Sequence, residues 1–293
     1  MEKALKAPFT QSLKSYVAVT KPGIILGNAV NAIGGFFLAS KGFFDLSLFM
    51  AMILGLSCII ASGCTFNNYI DREVDQKMAR TKNRPLAQGT LSEKGALIFA
   101  TILGLLGILI LAFFANPLTA GVALFGFTVY VAFYSFLKYK TVYGTLIGSF
   151  AGSAVPVIGY CAFSNRLDGA ALILFIMISM WQMPHFFAIA LYRLKDYSAA
   201  SIPVLPLVKG VLETKVSILL YIIGFFISGA LLTLFQYTSY IFLIVVGIAS
   251  FVWFFFGIKG LRSADDTQWA RKMFILSLIV VMALCITIPF TAI

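Results

Sequence analysis

The feature that most constrains this chain is a run of apolar stretches, each long enough to cross a lipid bilayer. A spanning helix needs about 20 mostly apolar residues. In lipid only a helix or a closed barrel satisfies every backbone N–H and C=O. Such stretches lie at 23–40, 46–67, 96–115, 117–137, 142–163, 169–191, 216–235, 239–258 and 273–291. Asn116-Pro117 is a turn signal, and it divides what would otherwise be a single apolar run too long for one span. Only 11% of residues are charged, less than half the share of a soluble domain, roughly 25%. The sequence therefore predicts an all-α polytopic membrane protein, a bundle of nine transmembrane helices. Residues 1–22 read as a cytoplasmic N-terminal segment and 23–293 as a single transmembrane domain.

The loops alternate in charge. Of the 22 basic residues, only Lys41 and Arg166 fall on one side. The others fall on the N-terminal side, among them Lys3, Lys6, Lys14, Lys21, Lys94, Lys138, Lys140 and Lys272. The positive-inside rule then puts the N-terminus and the long polar loops in the cytoplasm and the C-terminus outside. The net charge of +11 is thus a topology signal. No nucleic-acid motif accompanies it, and no nucleic-acid partner is expected. Residues 1–21 have neither the apolar core nor the cleavage site of a secretory signal, so a bacterial inner membrane is the expected location. Cys58, Cys64, Cys161 and Cys285 form no CxxC pair and read as small packing residues.

The second span ends in Asn67-Asn68-Tyr69-Ile70-Asp71-Arg72-Glu73-Val74-Asp75. If the helix continues, Asn67, Asp71 and Asp75 share a face, since each step of four turns only about 40° and rises about 6 Å. Glu73 points elsewhere. Like charges one turn apart repel, and an ionised Asp at a bilayer centre costs about 2.5–3.5 kcal/mol. A hard divalent cation such as Mg²⁺ relieves both, and it binds through one or two carboxylates plus substrate phosphates. The loop beyond carries Lys77, Arg80, Lys82 and Arg84, cations suited to phosphate oxygens. Asn67, Asp71 and Asp75 are the expected metal ligands, and Arg72, Arg80, Lys82 and Arg84 the expected diphosphate contacts.

A second polar cluster closes the sixth span, from Trp181-Gln182-Met183-Pro184-His185 through Arg193-Leu194-Lys195-Asp196. His185 is the only histidine, and intramembrane ionisable residues usually face a cavity or a partner. It is open to three readings: a heme iron ligand, an acid or base, or a packing residue. Asp196 is a candidate second-site metal ligand, and Arg193 and Lys195 are candidate phosphate contacts.

These residues resemble the UbiA superfamily of intramembrane prenyltransferases. The family is characterised by nine transmembrane helices and two Asp-rich cytoplasmic motifs that bind a Mg–prenyl diphosphate. NxxxDxxxD at Asn67, Asp71 and Asp75 matches the first motif. The second departs from DxxxD, with Asp196 followed by Ala200. The stretches TKPGIILGN (20–28), ASGCTFNNYIDREVDQKMARTKNRPL (61–86), WQMPHF (181–186) and KDYSAASIPVLP (195–206) resemble the heme-farnesylating branch. That resemblance implies farnesyl transfer from farnesyl diphosphate to a vinyl group of protoheme IX, with water capture. It also implies Mg²⁺ as cofactor, His185 as a heme contact and a terminal oxidase or heme-pathway protein as partner. A prenyltransferase of quinone biosynthesis, a transporter and a non-catalytic heme-binding protein are the alternatives.

Overall fold

The computed structural model describes residues 9–293, so Lys3 and Lys6 lie outside the described residues. The chain opens with α1 (Phe9–Thr20) and α2 (Pro22–Ser40), followed by α3 (Leu46–Asp75) and α4 (Glu93–Phe114). Next come α5 (Pro117–Thr128), a π-helical segment (Val129–Tyr134) and the short α6 (Ser135–Leu137). Then follow α7 (Gly144–Ser164), α8 (Gly169–Tyr192), α9 (Leu194–Ala199), α10 (Leu205–Val208), α11 (Val211–Leu234), α12 (Tyr240–Gly260) and α13 (Asp266–Thr291). Among the described residues nine helical spans are long and apolar enough to cross a membrane, with α5, the π-segment and α6 counting as one. The only β pairing among them is an isolated bridge between Thr238 and Ala292.

Short polar residues start the helices as capping chemistry requires. Asp45, Ser92, Asn116, Asp168 and Asp265 each accept a backbone N–H from the first turn of the helix they precede. Asn116 also donates to the carbonyls of Cys161 and Ala162. Asn116-Pro117 is thus both a turn and a tie to α7.

Lipid supplies no hydrophobic drive between helices, so close packing must hold the bundle together. At the α2–α7 crossing, a Cβ on Gly35 would overlap the carbonyl of Pro156, and one on Gly159 would overlap the carbonyl of Ala32. The crossing is therefore a reciprocal glycine contact, backbone against backbone. The larger core gathers on α8, with Leu174, Met177, Ile178 and Trp181 packed against α11 and α13. Side chains at three- and four-residue steps on α4, namely Ile98, Ile102, Leu105, Leu109 and Phe113, are left exposed as a lipid-facing stripe.

Two features go beyond the sequence reading. Residues 9–20 form a helix packed on α3, not an unstructured lead-in. Lys21 then turns the chain into α2 with φ at 54°, a left-handed conformation that is uncommon for a side chain of this size.

Candidate active site

α3 is 30 residues long and runs unbroken through Asp75. The expected register follows: Asn67, Asp71 and Asp75 form one polar face at the basic end of the bundle. All three are buried, at 3%, 6% and 1% exposure. Buried charge must be paired, and each of these groups takes a partner from a different part of the chain.

Lys21, at the α1–α2 corner, donates from Nζ to Asn67 Oδ1 at 2.9 Å. Asn67 Nδ2 donates to Ser135 Oγ at 3.1 Å. Asp71 accepts from Lys138 Nζ and from the Tyr139 hydroxyl, both at 2.5 Å. Asp75 accepts Arg84 Nη1 on both oxygens, at 3.0 and 2.7 Å.

Local structure accounts for these meetings. Thr81 Oγ1 donates to the Asp75 carbonyl at 2.9 Å. Gln76 Nε2 bonds the Ala87 carbonyl, and Gln88 Nε2 that of Lys82. The 76–92 loop is thereby folded back so that Arg84 reaches Asp75. On the other flank, the π-helical segment adds a residue to the turn, a device common at functional sites. It lies just before Ser135, Lys138 and Tyr139, all three of which point to α3.

The electrostatics favour an anion. Asp71 and Asp75 carry two negative charges, against three positive charges on Lys21, Lys138 and Arg84. Arg80 and Lys82 are exposed nearby and form no ion pair among the described residues. Burial pulls the Lys21 ammonium down to about 8. It lowers Lys138 too, with Asp71 opposing. Burial is also the main cause that pushes the Tyr139 hydroxyl up. Two carboxylates and an amide oxygen in one buried file are the hard oxygen donors that Mg²⁺ takes. Each is held by a protein cation or hydroxyl that an incoming phosphate can draw away.

The remaining predicted residues divide. Arg72 is turned away, bonded to Glu93 at 3.0 Å and Glu73 at 3.4 Å and lying over the Tyr69 ring. Lys77 and Lys195 are exposed. Asp196 faces Arg193 at 3.9 Å, and no third Asp, Glu, His or Cys joins a metal-sized group among the described residues. Ala200, which stands where the family resemblance implies a second carboxylate, packs into an apolar cluster with Val74, Met78, Tyr139, Tyr197, Ile202 and Val204. That cluster clamps the second polar loop onto the first. Burial raises Tyr197 to about 12, while the nearby Arg80 charge pulls the other way. His185 sits apart, between α8 and α13, with Nδ1 2.7 Å from Ser277 Oγ.

Sequence reasoning missed Lys21, Ser135, Lys138 and Tyr139 as site residues. In the sequence Lys21 and Lys138 read as topology charges, and Tyr139 as an interfacial tyrosine. The available signal was their position at the basic ends of the first and fourth spans.

A nine-span helical bundle with carboxylates and cations interleaved at its basic lip defines a class: membrane proteins that hold an anionic head group while an apolar tail stays in lipid. A profile of the UbiA prenyltransferase family matches residues 28–279, and the chain belongs to that family. It is similar to the protoheme IX farnesyltransferase of Protochlamydia amoebophila (strain UWE25), at 54% identity over 94% of this chain and 97% of the relative. The protein of the same name from Sodalis glossinidius (strain morsitans) is 53% identical, over 94% and 93%. Among solved structures, a digeranylgeranylglyceryl phosphate synthase superposes with a TM-score of 0.78 at 18% identity, covering 95% of this chain and 99% of that one. A UbiA homolog from Archaeoglobus fulgidus bound to GPP and Mg²⁺ gives 0.68 at 14% identity, over 94% and 99%. At these identities the structural likeness establishes the fold alone.

Proposed function

We propose that this protein transfers the farnesyl group of farnesyl diphosphate to a vinyl group of protoheme IX, producing a hydroxyethylfarnesyl heme. The observation that carries the reading is the buried Asn67–Asp71–Asp75 face with a cation against each member. The identity to relatives named for this reaction, just over half, supports the substrate pair.

The site's own residues act on the diphosphate. Lys21, Lys138 and Arg84 exchange their α3 partners for phosphate oxygens, and Arg80 and Lys82 add contacts from the loop. Asn67, Asp71 and Asp75 are then free to hold Mg²⁺, which supplies Lewis-acid stabilisation of the leaving group. That exchange is made on substrate binding, so the cations meet the negative charge that develops on the leaving diphosphate with no further reorganisation. The allylic C–O bond breaks and its electron pair leaves with diphosphate. The vinyl carbon bonds to the farnesyl carbon. Water adds to the cation left beside the porphyrin ring and loses a proton. No covalent enzyme intermediate is needed; the protein positions two apolar substrates and limits water. Asp196 and Lys195, one turn along the second loop, are proposed as outer contacts. The basic face is proposed to lie in the cytoplasm of a bacterial inner membrane.

The test is product analysis. Membranes containing the protein, given protoheme, farnesyl diphosphate and Mg²⁺, should yield farnesylated heme by mass spectrometry. Chelation should stop the reaction and added Mg²⁺ restore it. A prenylated phenol with no heme product would reject the acceptor.

A further inference from the structure

α1 meets the start of α4 along a groove that the diphosphate site does not use. Leu13, Tyr16 and Val17 on α1 form one wall, and Ile98, Phe99 and Ile102 on α4 form the other. The space between them is about 470 Å³, a volume typical of small-molecule sites, roughly 300–1,000 Å³. The groove opens toward lipid. Leu13, Val17, Ile98 and Ile102 are each more than half exposed, and the two isoleucines begin the lipid-facing stripe of α4. The other side of α1 is covered, with Val19 fully buried in a cluster with Leu86, Leu91 and Ala96. α1 therefore has the two faces of an interfacial amphipathic helix, one on protein and one open to the bilayer.

Polar groups stand at the mouth of this groove. Lys94 is four residues before Ile98 and eight before Ile102, so it heads the same face of α4 in the helix's first turn. Lys14 is three residues before Val17 and neighbours it on α1. Both lysines are exposed, and neither makes an ion pair or hydrogen bond among the described residues. Glu93, beside Lys94 in sequence, is committed to Arg72 at 3.0 Å and does not neutralise it. The dipole of α4 adds positive potential at the same end. The Tyr16 ring rests edge-on against Phe99 at 5.0 Å. Its hydroxyl passes over Gly95, where a Cβ would stand 2.7 Å from it. That hydroxyl also has no hydrogen-bond partner among the described residues.

From this arrangement we propose that the groove is a binding site for an anionic phospholipid of the leaflet at the basic end. One acyl chain lies between α1 and α4, Lys14 and Lys94 take the head-group phosphate, and the Tyr16 hydroxyl donates to a phosphate or ester oxygen. The combination selects the occupant. Apolar walls open to the bilayer suit a hydrocarbon chain, and two unpaired ammoniums at the membrane border select negative charge. A neutral lipid meets only the first demand. The site is separate from the transfer chemistry and does not depend on it. A lipid so placed bridges α1 to α4 just before Lys21, the residue that reaches Asn67.

The test strips the full-length protein of lipid in neutral detergent and titrates it with phosphatidylglycerol or with phosphatidylcholine of the same chains, counting bound lipid by native mass spectrometry. Wild type should hold one phosphatidylglycerol about tenfold more tightly than phosphatidylcholine, ~1.4 kcal/mol, and that lipid should raise its melting temperature. Lys14→Gln combined with Lys94→Gln should abolish the preference. Ile98→Trp, which fills the groove from an exposed position, should weaken binding of both lipids. These substitutions fall on exposed side chains, so the fold is kept. A preference for phosphatidylglycerol that survives the double lysine substitution overturns the proposal, as does unchanged phosphatidylglycerol affinity in Ile98→Trp. Displacement of the lipid by inorganic phosphate would make this a free-anion site, and displacement by farnesyl diphosphate would make it part of the prenyl donor's path. Either result also overturns it.

Discussion

Lys138 illustrates how tightly the site is balanced. Its ammonium is buried against Asp71, with Tyr139 on the other carboxylate oxygen. Removing one partner of a buried pair leaves an uncompensated charge and costs about 3–5 kcal/mol. Lys138→Met should therefore lower both farnesyl transfer and the melting temperature. Asp71→Asn differs: the amide is isosteric, so its oxygen can accept from Lys138 while its NH2 donates to the Tyr139 hydroxyl oxygen, which leaves both neighbours partnered. It should keep normal protein levels while losing at least ~100-fold in turnover, the scale of one lost transition-state electrostatic contact. Unchanged turnover in Asp71→Asn would remove Asp71 from the reaction. The acidic half of this site is legible in the sequence, because four-residue spacing on one helix fixes a face. The basic half is only partly legible. Arg84 lies in the next loop and can be read there, whereas Lys21 and Lys138 reach Asn67 and Asp71 across 46 and 67 residues of chain. Arg72 shows the opposite error. It is adjacent to Asp71 in sequence, but a one-residue step on a helix turns the side chain about 100°, and Glu93 claims it.

Among the helices, the α2–α7 contact makes a sharp prediction. Gly159 lies against the backbone of α2, where a methyl group would meet the Ala32 carbonyl and nothing nearby is a flexible side-chain tip. Gly159→Ala should cost about 1–3 kcal/mol, the usual penalty for overpacking, and lower the thermal midpoint of the purified protein. Gly27 on the same α2 faces open space, with no atom within 4 Å of where a Cβ would stand. Gly27→Ala should be neutral or stabilising by up to ~1 kcal/mol, the helix-propensity gain. Equal midpoints for the two variants would show that the crossing is not close-packed. The spans themselves are readable because lipid enforces helix and sets its length. Predicted limits such as 117–137 and 169–191 fall within a residue of the helices found. The helix over residues 9–20 is not foreseeable in this way, since its stabilisation comes from packing on α3 rather than from apolar length. The π-helical segment escapes too, because one extra residue per turn leaves no mark on the apolar pattern of 117–137.

For the molecule as a whole, charge asymmetry is the organising fact, and it orients the protein. The loops at 76–92, 138–143, 193–210 and 261–265 emerge on the same face as Lys21, while 41–45, 115–116, 165–168 and 235–239 emerge on the other. Translocating a lysine or arginine is opposed, so the basic face is expected on the side of synthesis. On that side the proposed diphosphate site would have access to a charged head group and to Mg²⁺. Cysteine accessibility tests this directly, because the native thiols interfere little: Cys64, Cys161 and Cys285 are buried, and Cys58 is partly covered within α3. Leu167, at 61% exposure, lies in the 165–168 turn. Asn83 is exposed in the 76–92 loop. In intact cells a membrane-impermeant maleimide should label Leu167→Cys but not Asn83→Cys, and permeabilisation should make Asn83→Cys reactive. The inverse pattern would put the carboxylate face outside, away from the cytoplasmic supply of prenyl diphosphate that the reaction requires, and the orientation would have to be abandoned.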